Sequence, residues 1–124
     1  MLTVTLLKVS SFYFQISQEQ KVRVLILAPS KELCHQIYTN VCELTLKCSR
    51  DVSCLDISHQ VDISAQRALL VEKPDIIVST PARALTHLKA NNVDLSESLE
   101  MLVIDEADLV FSFGYENEVK EVLR

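Results

Sequence analysis

Four short segments built on apolar runs, VRVLILAPS at 22–30, DVSCLDI at 51–57, PDIIVST at 74–80 and SLEMLVID at 98–105, punctuate a chain that from Val22 onward otherwise reads with helical periodicity. The first, third and fourth are nearly continuous rather than alternating, the pattern of strands covered on both faces of a parallel sheet. Between the first two runs Leu33, Ile37, Val41, Leu44 and Cys48 recur at helical spacing, which predicts an amphipathic helix over 31–48. SAQRALLVE predicts a short second helix. PARALTHLKA predicts a third, because Thr80 can cap it and Pro81 fills the first helical position without losing a needed donor. ENEVKEVLR, after a turn at Gly114, is expected as a last helix. Strands and helices in this alternation predict an α/β fold, a parallel sheet covered by helices, and 124 residues with 48% apolar content suit one domain.

Glycine is scarce. Average usage of roughly 7% would give about nine glycines, and the chain has one, Gly114. Tight phosphate loops and left-handed turns are therefore expected to be nearly absent. The net charge of −5 removes any bulk attraction for a polyanion, so a nucleic-acid contact would have to be local. Cys34, Cys42, Cys48 and Cys54 form no C-x-x-C pair and none of the Cys/His spacings of a zinc site, and are expected to be reduced, packed thiols of an intracellular protein. In residues 1–17, Leu2, Val4 and Leu6 alternate, as do Phe12, Phe14 and Ile16, which predicts strands. Lys8 interrupts this apolar stretch and no basic segment precedes it, against a signal peptide. No run reaches the 18 or so apolar residues of a membrane span, and no membrane partner is expected.

In a parallel sheet, the loops leaving the carboxyl ends of the strands converge on one edge, where ligands bind. Three of those ends carry chemistry: Pro29-Ser30-Lys31-Glu32, Thr80-Pro81-Ala82-Arg83 and Asp105-Glu106-Ala107-Asp108. An aspartate directly after an apolar strand can hold magnesium, and a neighbouring glutamate can polarise a water. Acidic residues also favour helix N-termini through the macrodipole, and this simpler account stays open on spacing alone. Lys31 and Arg83 stand in first helical turns, where a cation opposes the dipole, and a phosphate would settle that conflict.

Taken together, VIDEADLVFSFGYE, APSKELCHQ and STPAR resemble motifs II, Ia and Ib of the DEAD-box ATP-dependent RNA helicases, in the family's order. The resemblance covers 22–124 and implies a partial RecA-like (P-loop NTPase) domain there, with 1–21 a divergent segment lacking any motif. It implies an ATP hydrolase that unwinds or remodels RNA duplexes, with ATP and Mg2+ as cofactors. Asp105 would bind Mg2+ through water, Glu106 would position the hydrolytic water, and Asp108 would link this motif to other parts of the closed enzyme. Pro29, Ser30, Lys31, Glu32, Thr80, Pro81 and Arg83 would lie along the RNA sugar-phosphate backbone, giving shape recognition with little base specificity. LLVEKPDIIVSTPARALTHL and LEMLVIDEADLVFSFGYE look closest to the nucleolar subgroup that assembles the large ribosomal subunit. That implies ribosome biogenesis, pre-ribosomal particles as partners and placement in the nucleus and nucleolus.

The chain departs from the family pattern in three places. The phosphate loop G-x-x-x-x-G-K-[ST] needs glycines for close backbone approach, and none precedes Gly114, so the P-loop strand is expected to be missing. Leu55 to His59 occupy the region of the family's paired glycines, and Ala82 replaces the glycine of motif Ib. Motif III and a second domain would lie beyond Arg124. The isolated chain is therefore expected to be inactive, and a second reading is a non-catalytic, truncated helicase product that binds RNA or partners.

Overall fold

A computed structural model describes residues 21–47, 52–59, 62–95 and 98–105. Strands β1 (Val24–Leu27), β2 (Cys54–Asp56), β3 (Ile76–Ser79) and β4 (Met101–Ile104) form one sheet in the order β2-β3-β1-β4. Every pairing is parallel: Val24 lies opposite Ile76 on one side and Met101 on the other, and Cys54 lies opposite Ile76. Helices α1 (Lys31–Thr45), α2 (Ile63–Leu70) and α3 (Pro81–Lys89) make the connections, as the alternating pattern predicts. Expectations that fall on 1–17, on Cys48 and on the helix ENEVKEVLR lie outside the described residues.

The continuous apolar runs are explained by burial on both faces. Val24 and Ile26 of β1, with Ile76 and Val78 of β3, pack under Cys34, Ile37 and Val41 of α1. The alternate residues Leu25, Leu27 and Ile77 point to the opposite face, against Leu70 of α2 and Ala84 of α3. Helix α1 ends at Thr45, three residues short of the expected 48. Leu46 is 85% exposed, so the apolar stripe that drives the helix onto the sheet stops there.

Two contacts set the register at the amino ends of the strands. Ser53 donates both its amide and its hydroxyl to Asp75 Oδ2, at 3.0 and 3.1 Å, and Asp75 N donates back to Ser53 Oγ at 3.0 Å. Arg23, buried beneath the sheet end, donates from Nη1 to Glu100 Oε2 at 3.1 Å, and its carbonyl accepts from the amides of Glu100 and Met101. β4 is thereby tied to β1 at its first residue.

The scarcity of glycine does not remove left-handed turns, which corrects the expectation from composition. Lys73 (φ 53) and Asn91 (φ 57) take that conformation, each just after a helix. Asn91 is a usual substitute for glycine there, and Asn92 N reaches back to His87 O at 2.9 Å, the long-range bond of a helix stop. Lysine is a poorer choice, because its Cβ crowds the backbone at a cost of about 1–2 kcal/mol. Lys73→Gly is expected to raise stability by roughly 0.5–1 kcal/mol, less than the relieved strain because glycine also frees the unfolded chain. Urea denaturation measures this, and a loss of stability would show that contacts of the Lys73 side chain outweigh the strain.

Candidate nucleic-acid interface

Because all four strands are parallel, their carboxyl ends open onto one edge, and the residues leaving them meet there. β1 runs into Ala28, Pro29 and Ser30 before α1 begins, and β3 runs into Thr80 before α3 begins. Ser30 is extended (φ −140, ψ 157), and its Oγ accepts from Leu33 N at 3.3 Å. Thr80 is extended as well (φ −78, ψ 154), and its Oγ1 accepts from Arg83 N at 3.4 Å. Both are N-caps, and Pro81 takes the first position of α3 as its fixed φ favours.

The caps satisfy only part of each helix end. The first intrahelical bonds come from Cys34 N to Ser30 O and from Ala84 N to Thr80 O, both 3.0 Å. The amides of Lys31 and Glu32, and of Ala82, precede those bonds and point out of the two N-termini, where an anion is favoured by partial charge and by geometry.

The two helix starts line a single open groove of about 580 Å³ whose walls include Pro29, Ser30, Lys31, Thr80, Arg83 and Ser58. Five of the residues expected along an RNA backbone are thus brought together: Pro29, Ser30, Lys31, Thr80 and Arg83. Glu32 and Pro81 are not among the lining residues. Pro81 is buried at the base of α3, and Glu32 carries the acidic charge of the first turn of α1, a dipole role that a nearby phosphate would oppose. Ser58 was not anticipated. Its amide and hydroxyl both donate to Asp56 Oδ1, at 2.9 and 2.6 Å, and the Asp-x-Ser spacing in DISHQ is the signal that would have found this turn.

A buried polar network fixes α2 and α3 behind the groove. Gln66 Nε2 donates to Ile57 O at 3.0 Å and His59 O at 3.2 Å, which leaves Gln66 Oε1 to accept from His87 Nε2 at 2.7 Å. Asn92 Nδ2 completes the chain, 3.0 Å from His87 Nδ1. Desolvation, helped by the charge of Arg83, holds His87 below its ordinary pKa. A neutral imidazole with its proton on Nε2 satisfies every partner.

Asp105 stands at the carboxyl end of β4, and its amide donates to Leu27 O at 2.9 Å, placing it beside the end of β1 on the same edge. Glu106 and Asp108 lie outside the described residues. A carboxylate in this place is a hard oxygen donor suited to magnesium. Among these 124 residues the one glycine is Gly114, after Asp105 in the chain.

The chain is 41% identical over 111 residues to the ATP-dependent RNA helicase dbp9 of Botryotinia fuckeliana, a match covering 89% of this chain and 18% of that protein. It is 37% identical over 98 residues to the probable ATP-dependent RNA helicase ddx56 of Dictyostelium discoideum, covering 79% of this chain and 14% of the relative. The chain therefore spans under a fifth of these relatives' length. Its fold matches the crystal structure of the yeast DEAD-box splicing factor Prp28 with a TM-score of 0.76 and 30% identity, over 84% of this chain and 24% of that one. The parallel α/β sheet expected from the sequence is thus of the RecA-like kind. The family model described as DEAD/DEAH box helicase matches residues 3–124, and with nearly every residue inside that match the chain belongs to the DEAD/DEAH box helicase family.

Proposed function

We propose that this chain is part of an ATP-dependent RNA helicase and contributes a groove that holds the sugar-phosphate backbone of an RNA strand. The observation that carries this reading is the meeting of two helix N-termini, with Lys31 and Arg83, in one groove at the carboxyl edge of the sheet. Contacts made by helix N-termini, hydroxyls and basic side chains engage phosphates and sugars, so the groove reads shape with little base preference. An acidic chain can do this because the attraction is local.

In the longer protein, residues 22–124 would form part of the ATP-binding domain, and the family match reaches back from there to residue 3. Asp105 would hold Mg2+ through water, Glu106 would orient the hydrolytic water, and Asp108 would couple this motif to the rest of the closed enzyme. When bound, magnesium would supply neutralisation of charge on the transferred phosphate. The likeness of the motif II and Ib segments to the nucleolar subgroup supports a role in ribosome biogenesis, on pre-ribosomal particles in the nucleus and nucleolus. The relatives at about 40% identity, named dbp9, are ATP-dependent RNA helicases by name. The lack of glycine before Gly114 also favours a second reading, a non-catalytic product that binds RNA or helicase partners without turning over ATP.

Titration of a labelled single-stranded RNA tests the groove under either reading. The double variant Lys31→Ala with Arg83→Ala is expected to weaken binding by roughly tenfold and to flatten the salt dependence by about one to two units of slope, as loss of two phosphate contacts requires. Unchanged affinity and slope would remove both residues from the interface.

A further inference from the structure

A second cluster lies where α1 passes the carboxyl end of β2, in the segment that replaces the family's paired glycines. His35, Asp56 and His59 each present one ligating atom there, and all three atoms lie within 4.8 Å of one another. His59 Nε2 and Asp56 Oδ2 are 3.2 Å apart. That is about the ligand-to-ligand separation around a tetrahedral zinc ion with bonds of roughly 2.0–2.2 Å. Bringing His35 to the same separation needs a swing of roughly 1.5 Å by an exposed imidazole on one turn of helix, well within side-chain freedom.

Asp56 gives the independent sign of a ligand. Its side chain is 4% exposed, and Oδ1 is held by both bonds from Ser58, which fixes the carboxylate plane. The other oxygen, Oδ2, is buried and accepts no hydrogen bond, and its one charged neighbour among the described residues is His59, whose Nε2 lies at ion-pair distance, 3.2 Å. A buried carboxylate oxygen left without a hydrogen bond is costly unless a cation meets it. The Ser58 contacts are of the kind that orient a metal-binding carboxylate from behind. The ring of His35 stands between two others, 6.0 Å from that of His59 and 6.4 Å from that of Tyr38, so its approach is guided.

We propose that His35, Asp56 and His59 form a binding site for a borderline divalent transition-metal ion, zinc being the prime occupant, with water completing the shell. Two imidazoles and a carboxylate suit such an ion and disfavour magnesium, which takes oxygen ligands and gives up water reluctantly. The nearby thiol of Cys34 is turned away from the cluster: it is fully buried, and its Sγ donates to Ala28 O at 3.9 Å. Ser58 both holds Asp56 and lines the groove, so the ion sits at the groove's rim, and its binding stands independently of whether RNA occupies that groove.

Zinc titrated calorimetrically into the 124-residue chain tests this. One-to-one binding is expected, weakened by roughly tenfold or more in His35→Ala and in His59→Ala, both exposed positions whose loss should leave the circular dichroism unchanged. Asp56→Asn, which keeps the acceptor for Ser58, is expected to weaken it likewise, and excess magnesium is expected not to displace zinc. Cobalt substituted for zinc is expected to give a visible spectrum without a thiolate charge-transfer band. No zinc binding, binding that survives both histidine variants, or a thiolate band placing the metal on cysteines would each overturn the proposal.

Discussion

No phosphate release above background is the expected result when the purified 124-residue chain is given ATP, magnesium and single-stranded RNA. Phosphoryl transfer asks little covalent chemistry of the protein and depends on positioning and charge stabilisation of the transferred group. Positioning alone is worth about 7–11 kcal/mol in well-oriented reactions. In this fold the phosphates are positioned by backbone amides of a glycine-bearing loop, and residues 1–113 contain no glycine. Asp105 stands just after the end of β4, but carboxylates repel phosphate oxygens and do not by themselves align a triphosphate. RNA-stimulated release from the pure chain would contradict this and would require a phosphate site of another design.

His87→Ala is expected to destabilise the fold by about 3 kcal/mol, more than a hundredfold in the folding equilibrium. His87 is fully buried, and its removal leaves Gln66 Oε1 without a donor and Asn92 Nδ2 without an acceptor, besides opening a cavity between α2 and α3. Unsatisfied buried polar groups of this kind cost about 1–3 kcal/mol. The same site carries a pH dependence. Because burial lowers the pKa of His87 in the folded chain, the unfolded chain takes up the proton first, at about 6.5. The contribution to stability is complete above that pH and is lost as pH falls through it towards the lower folded value. Urea midpoints for the native chain should therefore drop on mild acidification, and His87→Ala should remove that component. Equal midpoints for the two chains at neutral pH would mean that the network contributes nothing.

The sheet was legible because burial on both faces forces β1, and β3 as far as Ser79, to be apolar at successive positions, a pattern few other elements share. The groove was legible for a related reason. Ser30, and Thr80 followed by Pro81, are residues that start helices, and a parallel sheet must bring such starts to one edge. What stayed hidden depends on distance in sequence. Gln66 and His87 are 21 residues apart, and nothing in SAQRALL or PARALTHLKA states that one amide faces one imidazole. His35 meets Asp56 and His59 only because α1 crosses the end of β2, so a search for short ligand spacings passes over it. The glycine count misled at Lys73 and Asn91, where helix stops impose a left-handed residue whatever the sequence offers.

An RNA strand lying across the starts of α1 and α3 would shield their open amides, and hydrogen exchange of the chain with and without a single-stranded RNA reads this at each residue. RNA is expected to slow exchange of the open amides of Lys31, Glu32 and Ala82, with or without ATP. Protection confined to other surfaces, with those amides exchanging as in the free chain, would contradict it.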